Sequence, residues 1–290
     1  SATFAADTRI FKAIEADDSA ALRSTLSELV QDFGGVETLQ QRLGKLNALT
    51  FEYATSTENA QFVFELFDGL TATGKVSKVI HHDEAGITLV GQINDDASTT
   101  FIITKTGDDC TGLFHFNDGS EVEFDTFATA DPATILLREV DTTVRRSCGV
   151  DDSALTALSA ERLDELTHQP FSLLQPAAIG GITEVDVVVF VSEDTFEDLG
   201  KNMNTVRNRF RAALALSNTR LSNSKVDMKI NDVAYHRLSL KTDGVNSGTL
   251  LDRFSAAGTV SAKLESEKAD LAVLMSSSQS MPDAAGIAYV

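Results

Sequence analysis

The spacing of apolar residues changes character twice along the chain. From Thr8 to about Leu46, Phe11 and Ile14 and then Leu22, Leu26, Leu29, Val30 and Phe33 recur at helical spacing, with Gly34-Gly35 as a break. That rhythm predicts two helices. From Leu49 to about Val140 the repeat shortens to two, as in Gln61–Phe67, Ile87–Val90 and Thr100–Thr104. Side chains at this period share one face of a strand, so the stretch predicts strands. Asn117-Asp-Gly119 separates Leu113–Phe116 from Glu121–Phe124, and its residues tolerate the positive φ of a tight hairpin. The segment reads as an antiparallel meander.

A polar stretch follows from Arg145 through Asp151-Asp152 and a short helical run near Leu155–Leu166 to Gln175-Pro-Ala-Ala-Ile-Gly-Gly181. Pro and paired Gly oppose regular structure, so this is the expected interdomain connector. Beyond it the order becomes strand, helix, strand, helix, strand. The strands are Val185–Val191, Val226–Tyr235 and Ala269–Met275, and the helix from Met203 to Asn218 carries an apolar stripe of Met203, Val206, Phe210 and Leu214. Such alternation predicts an α/β layer. The expected fold class is therefore α+β: N-terminal helices and an antiparallel β-meander, followed by an α/β subdomain with a mostly parallel sheet.

At 290 residues the chain has room for two modest domains. Its net charge of −19 argues against a nucleic-acid partner, because phosphate binding needs clustered cations to displace counterions. Lys201, Arg207, Arg209 and Arg211 form the local exception and read as a solvated helix face. No apolar run approaches the ~20 residues that span a bilayer, so no membrane span is expected. Ser1 is not followed by a basic then apolar leader, so a signal peptide was either never present or already removed.

Metal-site spacing is absent. The histidines are His81, His82, His115, His168 and His236, and none is followed at the fourth position by another. His81-His82 would point to opposite faces of a strand and could not form a local ligand pair. Asp95-Asp96, Asp108-Asp109 and Asp151-Asp152 lack the pattern of a calcium loop and read as turn and surface residues. Two cysteines, Cys110 and Cys148, admit a disulfide that would tie the meander to the connector.

The ordered series Val185–Val191, Met203–Asn218, Val226–Tyr235, Ala269–Met275 and Gly286-Ile-Ala-Tyr-Val290 resembles the opening half of a reprolysin (adamalysin-like) metzincin zinc peptidase. The motif H-E-x-x-H-x-x-G-x-x-H, which would bind zinc and polarise the attacking water, does not occur in the sequence. The resemblance thus implies a chain cut before the motif, with zinc ligands expected beyond Val290 and no catalytic residue within it. Arg146-Ser-Cys-Gly-Val150 resembles the cysteine-switch element of propeptides in this family. It would make Cys148 an inhibitory zinc ligand, a thiolate that occupies the open coordination position. Ser147 and Asp151-Asp152 depart from the family pattern. Both the switch and the Cys110–Cys148 disulfide stand as readings. Gly286, Ile287, Ala288 and Tyr289 would lie on the strand that rims the substrate cleft and adds a peptide by backbone pairing.

The resemblance implies a prodomain over 1–180, comprising a helical region over 1–48, the meander 49–140 and the connector 141–180. An N-terminal catalytic subdomain over 183–290 would follow. The whole would be the zymogen, or a fragment, of a secreted zinc endopeptidase, with its leader removed and this chain inactive alone. Its partners would be protein or peptide substrates, its own mature catalytic domain, or other copies. The rival expectation is a non-catalytic secreted or surface-assembly protein on a metzincin-derived scaffold. A prodomain fragment retained as an inhibitor is a third.

Overall fold

The period-two stretch does more than form a meander: it closes on itself. In the computed structural model, which describes residues 9–13, 38–67, 70–83, 86–126, 133–140, 181–242 and 244–276, nine strands form a closed barrel in the order β1-β2-β9-β8-β7-β6-β5-β4-β3. They are β1 (Arg9–Ala13), β2 (Thr38–Leu46), β3 (Gln61–Phe67), β4 (Leu70–His81), β5 (Gly86–Ile93), β6 (Asp96–Thr106), β7 (Asp109–His115), β8 (Glu121–Thr126) and β9 (Thr134–Val140). Neighbours pair antiparallel except β1 with β3, where the barrel shuts in parallel. The β7–β8 turn falls at Asn117-Asp-Gly119, with Gly119 at φ 87°.

This closed barrel overturns the expected α+β class. The described portions of the supposed N-terminal helices, Arg9–Ala13 and Thr38–Leu46, are strands. Their helical rhythm is local, whereas their backbone groups find ladder partners on β3 and β9, and tertiary pairing overrides weak intrinsic preference. Helix occurs instead at α1 (Ala48–Ser56), where strand was expected to begin. Asn47 caps it by accepting from the Thr50 N–H, and Phe51 and Ala54 join the barrel core.

Alternation decides what fills the barrel. Phe62 and Phe64 of β3, Phe101 of β6, Phe114 of β7 and Phe124 of β8 point inward with Phe11, and all are buried. The rings meet edge to face, with centroids 4.6 Å apart for Phe64–Phe114 and for Phe11–Phe124, and 4.9 Å for Phe62–Phe64. Glycines in the wall make room for these rings. A Cβ on Gly112 would overlap the Phe124 ring and one on Gly91 the Phe101 ring. The barrel is a packed aromatic core with its chemistry on the outside.

The remaining elements are β10 (Thr183–Ser192), α2 (Glu193–Asp198), α3 (Met203–Asn223), β11 (Met228–Leu238), α4 (Ser247–Ala256), α5 (Gly258–Glu267) and β12 (Leu271–Met275). One compact unit contains the barrel and Phe196–Ser217; the other contains β10, β11, β12, α4 and α5. In the second, a three-stranded parallel sheet runs β11-β10-β12. Central β10 is buried from Val187 to Val191, as a strand covered on both faces requires. Val188 and Phe190 pack with Leu238, Phe254 of α4 and Val260 of α5. Strand β11 lies at the sheet edge, and the Asn218 carboxamide engages it: Nδ2 donates to the Ile230 carbonyl and Oδ1 accepts from the Ile230 N–H, both at 2.8 Å.

Candidate functional site

The outer face of strands β5 to β9 should be solvated if the barrel core were its only partner. Instead Thr88, Thr104, Thr106 and Thr111 on that face are buried, because the segment Phe196–Ser217 lies over it. The segment begins with a turn in which the Lys201 N–H donates to the Phe196 carbonyl, Gly200 and Lys201 both adopting positive φ. Asn202 then caps α3, its Oδ1 accepting from the Asn204 N–H at 2.9 Å. The other end of the same carboxamide reaches the barrel. Its Nδ2 donates to both oxygens of Asp109, at 2.9 and 3.0 Å.

Two turns of helix carry the rest of the contact. Asn208 is fully buried; its Oδ1 accepts from the Thr106 hydroxyl at 2.7 Å and its Nδ2 donates to the Asp109 carbonyl at 2.9 Å. Arg209 forms a two-pronged bond to Asp125, Nη2 to Oδ2 at 2.6 Å and Nε to Oδ1 at 3.2 Å. Asp125 also receives Arg138 of β9 at 3.2 Å and the Thr111 hydroxyl at 2.9 Å. Burial would raise this carboxyl, but Arg209 and Arg138 overcome that and hold it below the usual range, aided by the hydrogen bonds from Arg209 and Thr111. Past this lock, Ala212 and Ala215 bring the helix close to Val90 and Ile102, with Ile80 and Leu216 at the margin.

The helix therefore has two distinct faces. Asn202, Thr205, Asn208, Arg209, Ala212 and Ala215 meet the barrel, whereas the apolar stripe Met203, Val206, Phe210 and Leu214 lies on the opposite side at 100° per residue. The stripe is visible in the sequence, but the face that engages the barrel is not, since small and polar residues there resemble an ordinary exposed surface. The solvated reading of the cations is partly corrected: Lys201 remains open, while Arg211 is buried and Arg209 is locked onto a carboxylate. Asp109 likewise is no mere turn residue. The one signal in the sequence was Asn208-Arg209 following the Asn202 cap at helical spacing.

No protein-family model matches the chain, and no curated protein does. Among solved structures, a chain from one titled "Structure of a chaperone-substrate complex" is similar at 14% identity and a TM-score of 0.29, over 36% of this chain and 83% of that one. A likeness this slight carries no argument.

The residues singled out from the sequence do not assemble into one centre. Cys110 is a free thiol buried in the barrel core, its pKa raised by desolvation; Cys148 lies outside the described residues, as do His168 and Gly286, Ile287, Ala288 and Tyr289. His81 is exposed, His82 bonds the Thr88 hydroxyl at 2.8 Å, His115 bonds Glu121 at 3.0 Å, and His236 lies 3.6 Å from Glu267. Among the described residues no three His, Cys, Asp or Glu side chains are grouped to hold a metal, so the described residues alone do not fit a zinc site. Nor is any described helix long and apolar enough to cross a membrane.

Proposed function

We propose that the barrel is the holding module of a secreted zinc-endopeptidase zymogen, gripping a helix of the peptidase-like segment until the barrel is removed. The observation that carries this reading is the choice of helix face. Interfaces meant to last bury apolar surface, whereas separable ones are more polar. Here the barrel offers Asp109, Asp125 and threonine hydroxyls, and the helix answers with Asn202, Asn208 and Arg209, beside a small apolar contact of Ala212 and Ala215 with Val90 and Ile102. Loss of the barrel would return the Asn202, Asn208 and Arg209 side chains of α3 to water.

The reading also draws on the resemblance of Val185–Met275 to reprolysin peptidases and of Arg146–Val150 to a cysteine switch. In it, this chain's residues restrain and do not catalyse, Cys148 acts as inhibitory ligand, and the zinc ligands belong to residues other than those described. Peptide substrates are the expected targets of the complete enzyme. The test is peptide mapping and intact-mass analysis of the natural protein, read against its complete coding sequence. A three-His zinc motif downstream of Val290 is the expected result; a complete coding sequence with no such motif would overturn the proposal.

A further inference from the structure

A grip that must eventually open raises the question of what opens it. Acid is the simplest trigger for a lock made of a carboxylate and arginines, since a protonated carboxyl no longer attracts a guanidinium. The geometry around Asp125 opposes that trigger. The carboxylate is engaged on both oxygens by Arg209, on Oδ2 by Arg138 as well, and on Oδ1 by the Thr111 hydroxyl. Each of these donors favours the charged form. Arginine itself does not deprotonate in any relevant range.

We infer that the seat is an acid-resistant latch, which keeps Phe196–Ser217 on the barrel through mild acidification and opens only when the barrel is cut or displaced. The charged groups around Asp125 come from three strands and the helix. From α3 comes Arg209, from β9 Arg138, and from β8 Glu123; Asp109 of β7 sits further along, at the helix start. Glu123 is the group able to take a proton first, because desolvation raises its carboxyl against the pull of Arg138, although its side chain is still 46% exposed. Its Oε2 lies 3.8 Å from the same Arg138 Nη2 that stands 3.2 Å from Asp125. Neutralising Glu123 thus removes a competitor for Arg138 and leaves both arginines to Asp125. Mild acid tightens the lock before strong acid breaks it.

The biological sense of the latch rests on the zymogen reading; its chemistry does not. Hydrogen exchange of the backbone amides of α3 in the full chain, corrected for intrinsic rate, is the measurement. Wild-type protection should hold or rise between pH 7 and pH 5 and fall only below about pH 4, under the ordinary carboxylate range. Asp125→Asn should raise exchange over Met203–Ser217 roughly tenfold or more at neutral pH, the size of losing a charge-assisted bond. Should Asp125→Asn fail to fold, Arg209→Gln removes two of the donors while leaving Arg138, and its opening should move to higher pH than wild type. Loss of wild-type protection between pH 7 and pH 5 overturns the latch, as does an Arg209→Gln profile that superimposes on wild type. A missing zinc motif would instead sink the zymogen reading and leave this profile unaffected.

Discussion

The barrel and the three-stranded sheet solve the same problem, burying apolar residues under a hydrogen-bonded backbone, in opposite ways. The barrel closes, so none of its nine strands is left as a sheet edge, and its core is aromatic: rings from Phe11, Phe62, Phe64, Phe101, Phe114 and Phe124 pack inside a wall thinned by glycine. Among the described residues the sheet stays open, with β11 and β12 as edges, and its core is built on Val188 and Phe190 of β10 against two short helices. A closed wall satisfies its own backbone and leaves its outer side chains free for recognition. An open sheet has to commit side chains to its edges, as Asn218 is committed to Ile230.

Four changes would break or sharpen this contrast. Phe64→Ala should have the largest effect, because that fully buried ring meets Phe11, Phe62, Phe101 and Phe114. A loss of about 3–5 kcal/mol is expected from urea unfolding; a loss under about 1 kcal/mol would mean the barrel interior is not a single aromatic core. Gly112→Ala should follow at about 1–3 kcal/mol, since the added methyl overlaps the Phe124 ring. The double variant Gly112→Ala with Phe124→Leu should recover some of that loss in the same assay.

Asn218→Ala is smaller, about 1–2 kcal/mol for two hydrogen bonds. Its diagnostic readout is faster exchange at the Ile230 amide with barrel amides unchanged. The smallest effect is a difference in pH response between the two units. His236, partly buried beside Lys263 and Glu267, has its pKa lowered by desolvation and then by Lys263, against the opposing pull of Glu267. The folded state therefore disfavours the proton, so its contribution is present above the unfolded value of about 6.5 and is lost as pH falls through the lower folded value. Asp125, lowered from an unfolded value of about 3.9, loses its contribution only below that. Exchange in the sheet should loosen first on acidification, and His236→Gln should abolish that early phase.

How much of this was legible follows from how local each cause is. The β7–β8 hairpin is written in Asn117-Asp-Gly119, where a turn needs particular residues in adjacent positions. The strand of Val185–Val191 is likewise legible as an apolar run broken only by Asp186, because burial of Val187–Val191 leaves no polar alternation there. The N-terminal strands were not legible. What makes Arg9–Ala13 a strand is a parallel partner at Val63 and Phe64, far along the chain, while its own residues fit a helix as well. Closure is hidden for the same reason: it depends on β1 and β2 bridging β3 to β9. The seat was hidden by chemistry. Arg209 and Asp125 are 84 residues apart, and each by itself reads as a surface charge.

The two faces of α3 answer to different masters, and that has a consequence for descent. Met203, Val206, Phe210 and Leu214 are tied to the helix wherever it is used. Asn208 and Arg209 are turned to the barrel, whereas Asn202 serves both the barrel and the helix it caps. In a lineage that discarded the barrel, Asn208 and Arg209 would lose that constraint while the Asn202 cap and the apolar stripe stayed, and in one that kept it, a change at Arg209 would have to be answered at Asp125.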